Sequence, residues 1–435
     1  MVSRRNFLRT SSLLAAGTML PGVSHSNVLN SLSAIDRVNV GLIGCRNMGW
    51  YDLTDSLKHP NVRCVALCDV NRPLLEKRAA ELDKDYQQKV DLYNDYRRLL
   101  DRKDIDIVII GTPDHWHCLQ FVDACSAGKS VYVEKPIANS IAECDAMVYA
   151  ANRYDTVVQV GQQQRSAKHW KEMIDYLNEG HLGTIGQVNV WANFNYGAIA
   201  SHVADSPQPE GVDFAMWLGP APEVPFNTSR FNGLWRLYWD YGGGLLTDWG
   251  VHLLDMALWG MKVNGMPNKT VGIGGNYFYP EGGHETFDSL NVTYQFDNFV
   301  INWSNNAGIE TGLGGRNYGV MFRGTNGSLV ADRNNWEVIP EGSKLSYRKS
   351  QADNKDHQDH VTNFLNCVDT KNRKTSCPIE TGSLSAKYAH LGNISARMGG
   401  ALLTYNEQLK HFDNKAANKY LQPTYHHPWK FPRTK

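Results

Sequence analysis

Two stretches carry residue types suited to moving a proton at a carbon–oxygen bond. Glu134-Lys135-Pro136 closes an apolar run, and Gly242-Gly243-Gly244 leads into Leu245-Leu246-Thr247-Asp248-Trp249-Gly250-Val251-His252-Leu253-Leu254-Asp255. A lysine between a buried strand and a proline is held in a defined place, and beside another cation its pKa falls toward the range useful for proton transfer. If the second stretch is helical, Asp248 and His252 stand at i and i+4 on one face. Leu253, Leu254, Ala257 and Leu258 then form a separate apolar face. The plainer readings are an ordinary surface lysine and a capped helix with a buried, hydrogen-bonded histidine. The Asp/His spacing also suits a metal, but no third ligand is evident, so no metal site is expected.

A second group points to a dinucleotide. Gly44-Cys45-Arg46-Asn47-Met48-Gly49 follows a short apolar strand and opens a helix. The outer glycines stand where a dinucleotide turn needs them, for the tight turn and for close helix–strand packing. The middle glycine is replaced by Arg46, whose side chain either hinders a pyrophosphate or grips it from the edge. Asp69 ends the next strand, where a carboxylate bonds a ribose 2′-hydroxyl and repels a 2′-phosphate, favouring NAD over NADP. Its plainer role is a helix cap. Thr112-Pro113-Asp114-His115, with His117, follows a further strand at its carboxyl end, where ligands bind in such sheets. The expected cofactor-binding residues are Gly44, Arg46, Asn47, Met48, Gly49, Asp69, Thr112, Pro113, His115, His117, Glu134, Lys135 and Gln163. Both histidines also read as packing or capping residues.

A third group is aromatic. Trp235, Arg236, Tyr238, Trp239 and Tyr241 crowd the approach to the three glycines. Aromatic faces suit the apolar faces of pyranose rings and an arginine suits hydroxyls; the plainer reading is a core strand. Trp235, Arg236, Tyr238 and Trp239, with Arg165 at a strand end, are the expected substrate-binding residues.

The elements that must position these groups fall into two textures. From 36 to 164, short apolar strands (38–44, 62–69, 105–111, 130–133, 157–161) alternate with helical segments, one beginning near 47 and another opened by Pro73. That alternation predicts a doubly wound parallel sheet of the Rossmann kind. From 165 to 405 a helix at 167–179 precedes alternating segments at 187–194, 270–279, 289–296, 299–304 and 319–323. Asp297-Asn298 forms a hairpin turn between two of them, and helices follow near 359–368 and 384–398. This predicts an α/β domain with a large open, mainly antiparallel sheet. The polar, proline-ended tail, 406–435, is expected to wrap another surface.

Composition narrows the classes further. Lys plus Arg and Asp plus Glu number 44 each, so the basic excess of a nucleic-acid binder is missing. No segment is apolar over the length needed to span a bilayer, and stable membrane association is not expected. Eight cysteines are too sparse for a disulfide scaffold. Cys45, Cys64, Cys68, Cys118, Cys125 and Cys144 read as small buried hydrophobes, with Cys64 and Cys68 on one face of a strand. Ser3-Arg4-Arg5-Asn6-Phe7-Leu8 precedes a short uncharged stretch, 13–20, with no cysteine after it. That is the pattern of a twin-arginine export signal over 1–30, and a periplasmic or otherwise exported protein is expected. That route carries folded proteins, which fits a cofactor loaded before export.

Together these motifs resemble the glucose-fructose oxidoreductase / inositol dehydrogenase (Gfo/Idh/MocA) family over nearly the whole chain after the signal. Its carriers here are the glycine turn, Glu134-Lys135-Pro136 and Gly242-Gly243-Gly244 with Asp248 and His252. The resemblance implies a Rossmann domain, an open-sheet domain, homo-oligomers (dimers or tetramers) built through that sheet, and Lys135, Asp248 and His252 as catalytic residues around a nicotinamide. His252 would take the proton of a sugar hydroxyl while hydride passes to the nicotinamide, Lys135 would bond the same oxygen, and Asp248 would orient substrate or imidazole. Outside the cytoplasm no NAD pool regenerates a released cofactor. The expected activity is therefore sugar or glycoside oxidation, at C3 in one form, on a tightly bound NAD recycled by a second substrate. Two alternatives stand beside it: a glycosidase working through transient oxidation, and a non-catalytic sugar-binding protein on a degenerate nucleotide fold.

Overall fold

The computed structural model describes residues 37–195 and 202–433. The expected signal, 1–30, lies outside the described residues. Six strands form the first sheet: β1 (Val38–Ile43), β2 (Val62–Cys68), β3 (Asp91–Tyr93), β4 (Ile107–Ile110), β5 (Ser130–Val133) and β6 (Val158–Val160). Their order is β3-β2-β1-β4-β5-β6, all parallel. The chain reverses winding direction between β1 and β4, and at such a switch point the carboxyl ends of the strands open a crevice. β4 reads Ile-Val-Ile-Ile and is buried on both faces, as a central parallel strand must be.

Helices α1 (Asn47–Ser56), α2 (Arg72–Tyr86), α3 (Tyr96–Leu100), α4 (Asp114–Ser126) and α5 (Ile141–Arg153) flank this sheet. Pro73 lies in the first turn of α2, which Asn71 caps by accepting from Leu74 N at 3.1 Å. All eight cysteines are buried and unpaired. Cys64 and Cys68 do not share a face, contrary to the expectation from spacing. The register slips between Cys64 and Ala66, so the strand bulges at Val65 and inverts its alternation. Cys64 joins the core with Val40 and Leu42; Cys68 joins the opposite one with Ile43 and Val108.

After α6 (Lys168–Asn178) comes the second sheet: β7 (Ile185–Asn193), β8 (Lys269–Gly275), β9 (Ser289–Gln295), β10 (Val300–Asn306), β11 (Tyr318–Gly324), β12 (Gly327–Ala331), β13 (Asn335–Pro340) and β14 (Arg348–Gln351). The order is β14-β13-β12-β11-β7-β10-β9-β8, antiparallel except for the β7–β10 pair. Asp297-Asn298 turns β9 into β10, with Phe296 N donating to Phe299 O at 3.0 Å. β8 stops at Gly275, short of the expected 279. There the Asp288 carboxylate takes the backbone N–H groups of Tyr277, Phe278 and Tyr279 at 2.9, 3.0 and 2.8 Å and turns the chain off the sheet. β12 to β14 extend the sheet beyond the strands expected.

Between β7 and β8 lie α7 (Phe214–Leu218) and α8 (Val251–Gly260); α9 (Asp356–Asp369) and α10 (Ile379–Arg397) follow β14. Trp170, Leu254, Trp303, Phe322, Trp336 and Tyr388 form the core on one face of the second sheet. α9 returns to the first sheet, placing Val361 and Phe364 in its core. α10 contributes Ile379 and Ala386 to the first sheet's core and Tyr388, Ala389 and Leu391 to the second's. The tail does wrap the first sheet's helices: Tyr425 Oη donates to Glu143 at 2.6 Å, and Trp429 packs edge-on to Trp116. Among the described residues, no helix is long and apolar enough to cross a membrane.

Candidate active site

The glycine turn at the end of β1 is dictated by space. Gly44 has φ +87°, and a Cβ there would stand 2.7 Å from the Gly111 backbone; at Gly49 it would stand 2.2 Å from Gly44 O. Both positions require glycine. Arg46 does not: its backbone is extended at φ −98°, so any residue is tolerated, and its guanidinium donates to Asn232 Oδ1, which lines the same cavity. Among the described residues no side chain caps the N-terminus of α1, which leaves N–H groups and the helix dipole to meet an anion. Asp69 secures this turn, accepting from Cys45 N at 2.8 Å and Asn71 N at 2.9 Å. Burial pushes its carboxyl up, against those backbone N–H groups and the charge of Arg46. Gly44, Arg46, Asn47, Met48, Asp69, Thr112, Pro113, Glu134, Lys135 and Trp235 line one cavity. A glycine cradle, an uncapped helix terminus and an acid at the end of β2 fit a dinucleotide.

Lys135 leaves the end of β5 and meets Asp248 from the second domain. Its Nζ donates to Asp248 Oδ1 at 2.7 Å and to the Asp248 carbonyl at 3.0 Å. Arg236 Nε approaches the same Oδ1 at 3.3 Å. Burial alone would raise the Asp248 carboxyl, but the charges of Lys135 and Arg236 outweigh it and hold the group well below the usual range. Asp248 lies on a π-helical turn, Leu246–Gly250, that runs straight into α8. Such turns widen the helix and recur at functional sites. The glycines make room for it: a Cβ on Gly243 would sit 2.4 Å from Thr247, and Gly244 has φ +69°. Thr247 Oγ1 accepts from Gly243 N at 2.9 Å.

His252 lies one turn on. It is 5% exposed, and among the described residues its Nδ1 has no hydrogen-bond partner. Burial, with the charges of Lys135 and Arg333, pushes its pKa well down, so the ring is neutral and able to accept a proton. Lys135, Asp248 and His252 line a second cavity with Gln163, Trp249 and Arg333; it shares Asn47, Met48, Glu134, Lys135, Gly233 and Arg236 with the first. Glu134 sits between them, with burial and the nearby Asp52 pushing it up to about 8. A hydroxyl in the second cavity meets a neutral base and a fixed ammonium beside the dinucleotide cleft.

Residues 38–162 match the description "Oxidoreductase family, NAD-binding Rossmann fold", and residues 184–431 match "Oxidoreductase family, C-terminal alpha/beta domain". The chain belongs to the Gfo/Idh/MocA family. It is an oxidoreductase with an NAD-binding Rossmann domain. Among curated relatives, a "Glycosyl hydrolase family 109 protein" of Shewanella sp. (strain W3-18-1) is 27% identical over 206 residues, 43% of this chain and 44% of that protein. One of Shewanella baltica (strain OS185) is 28% identical over the same length. The alignment thus spans under half of these relatives. Among solved structures, the aldose-aldose oxidoreductase of Caulobacter crescentus superposes with TM-score 0.63 at 18% identity, covering 85% of this chain and 99% of that one. Levoglucosan dehydrogenase in complex with NADH and levoglucosan gives 0.64 at 19%, with the same coverage. These structures share the fold.

Against this Gfo/Idh/MocA framework several expected site residues need correction. His115 and His117 do not reach either cavity. The His115 ring meets Trp217 O at 3.0 Å; the His117 ring lies between Pro136 O and Thr112 O, each at 2.8 Å. Burial pushes both down to about 4, and they hold α4 in place. Arg165 forms a two-pronged ion pair with Asp255 at 2.7 Å, over Trp259, and faces a different cavity. Tyr238 bonds Ser229 Oγ at 2.7 Å and the Gly283 carbonyl, inside an aromatic core. Trp239 packs on Phe287 and under Arg397. Neither lines the cleft. Trp235 does, with Arg236 stacked on it at 4.2 Å.

The sequence reading missed Asp114, Asn195, Asn232, Trp249 and Arg333, all of which line the cavities. Asp114 adjoins Pro113 and could have been found. Arg333 carries no local signal, because it reaches the site from the β12–β13 turn.

Proposed function

We propose that the protein oxidises a ring hydroxyl of a sugar or glycoside, giving a keto sugar, on an NAD that stays bound and is restored by a second sugar. Gly44, Gly49, the terminus of α1 and Asp69 would hold the dinucleotide, with Asp69 selecting NAD over NADP. Bound NAD supplies the acceptor for the two electrons and the carbon-bound hydrogen. The chain's own residues handle the proton. His252, neutral and buried, takes the hydroxyl proton. Lys135, held by Asp248, donates to the same oxygen and stabilises the charge that develops there. Asp248 keeps Lys135 aimed, through its carboxylate and its backbone carbonyl. The observation that carries this reading is His252, with a ring nitrogen unpartnered among the described residues, lining one cavity with the Lys135–Asp248 pair.

The twin-arginine pattern at Ser3-Arg4-Arg5-Asn6-Phe7-Leu8 supports the captive cofactor, since an exported enzyme has no soluble NAD pool to draw on. Mass spectrometry of the gently purified protein should find near-stoichiometric NAD, and a panel of glycosides should raise the reduced-nicotinamide absorbance. Lys135→Ala and His252→Ala should each abolish that signal while nucleotide remains bound. Protein that binds no nucleotide at all sinks the reading.

The relatives named as family 109 glycosyl hydrolases support a second reading, glycoside cleavage through transient oxidation. There the aglycone is eliminated after oxidation, water adds in its place, and the ketone is reduced again by the same bound cofactor, with no net redox change. Release of aglycone without a second sugar separates the two.

A further inference from the structure

Arg333 presents an uncommitted cation to the substrate cavity. It lies in the turn between β12 and β13, with its guanidinium 4.6 Å above the Trp249 ring. Nε donates to Gln164 Oε1 at 3.2 Å, and Gln164 Nε2 reaches the His252 carbonyl at 3.5 Å. The neighbouring acids are already taken: Arg316 binds Asp332 at 2.5 Å and Glu337 at 2.6 Å. Asp248, Asp356 and Glu134 act on Arg333 only from beyond contact. Among the described residues, no carboxylate forms an ion pair with it.

The cavity it faces is lopsided in charge. Lys135, Arg236 and Arg333 line it, and Asp248, already shared by the first two, is its ionised acid. Glu134 is buried, and that burial with the nearby Asp52 disfavours its charge. A mostly buried cation without a counter-ion is costly unless a ligand supplies one. A guanidinium offers a planar fork of N–H donors that matches an oxyanion in two-pronged fashion. The Trp249 ring beneath it adds an apolar platform beside the same space.

We propose that Arg333 seats an oxyanion of the substrate, so that this enzyme acts on acidic sugars rather than neutral ones. The group is a carboxylate, as in a uronate, or a sulfate or phosphate ester; Arg333 binds it while Lys135 and His252 work on the hydroxyl. This rests on the sugar-oxidation reading above and narrows its substrate class.

The test is calorimetric titration of the NAD-loaded protein with matched sets: methyl glucoside, methyl glucuronide and the glucoside 6-sulfate and 6-phosphate, with the galacto series alongside. In at least one series an acidic member should bind about tenfold or more tightly than its neutral partner, ~1.4 kcal/mol. Which anion gains identifies carboxylate or ester. Arg333→Met should erase the preference and Arg333→Lys should keep part of it, with melting curves showing that both fold. Equal affinity for neutral and acidic members in the wild type, no binding of any acidic member, or a preference that survives in Arg333→Met overturns the proposal. A variant that fails to fold leaves the wild-type comparison decisive. Cofactor reduction recorded on the same mixtures separates the two readings: acidic sugars that bind without reduction sink the oxidation reading, and reduction by neutral sugars with no charge preference sinks this one.

Discussion

Lys135 grips Asp248 twice, through the carboxylate at 2.7 Å and the backbone carbonyl at 3.0 Å. The contact joins the end of a Rossmann strand to the π-helical turn before α8, so the ammonium is fixed by both domains. Lys135→Met and Asp248→Asn should each lower single-turnover sugar oxidation by about 100-fold or more, the usual scale for a positioned proton-handling group. Bound nucleotide, counted by mass spectrometry, should be unchanged. Full turnover in Lys135→Met would remove the lysine from the reaction.

The pH profile follows from His252. Its pKa is pushed well below the ordinary 6.5, so the proton-accepting form is complete at every pH above that value. The kcat/KM profile for sugar oxidation should be flat around neutral pH, with any acid limb lying well below the ordinary histidine value of 6.5. An acid limb centred at 6.5 or higher would mean that the base is not a buried, desolvated imidazole.

Stability should move with pH through α9. His357 contacts Asp52 at 2.8 Å and Asp55 at 2.5 Å. Burial opposes its charge, but the two carboxylates prevail and raise it to about 9. A raised histidine stabilises fully below its unfolded value near 6.5, and that contribution is lost as pH rises through 9. Glu134, raised to about 8, acts in the same direction, since the folded state keeps a proton that the unfolded chain releases. The melting temperature should fall between pH 6.5 and 9, and His357→Gln should flatten that slope. A melting temperature that rises across this window would contradict the paired geometry.

The glycine turn makes a contrast between neighbours. Gly44→Ala forces a Cβ to 2.7 Å from the Gly111 backbone at positive φ, and should cost about 1–3 kcal/mol and abolish nucleotide binding. Arg46→Gly should leave NAD affinity within about tenfold, since the backbone there is extended and the side chain points to Asn232. Fluorescence titration of both variants decides it; a collapse of affinity in Arg46→Gly would assign the guanidinium a direct grip on phosphate.

Arg165 should prove structural. Arg165→Met strands Asp255, which is 1% exposed, and should cost about 3–5 kcal/mol in denaturant unfolding. The KM of the surviving protein should be unchanged; a selective rise in KM would return Arg165 to the substrate site.

Much of this was legible before any tertiary contact was known. Apolar runs such as 107–110 are too short and too β-branched for helices and specify buried parallel strands. Gly44, Gly49 and Asp69 follow from local geometry at a strand end, and Glu134-Lys135-Pro136 with Asp248 and His252 from type and order. What local pattern hid was direction. A bulge at Val65 turned Cys64 and Cys68 to opposite faces, because one extra residue inverts a period of two. A π turn carried Asp248 and His252 to the cleft while Asp255 paired with Arg165 elsewhere. Tyr238, Trp239, His115 and His117 looked like ligand residues, but their polar atoms or faces were claimed by carbonyls, a hydroxyl and Arg397. Sequence alone determined which residues could do chemistry and on what kind of sheet they sit. Only the tertiary structure decided which of them meet, because the second sheet brings Arg333 to Trp249 across a separation that no short-range pattern records.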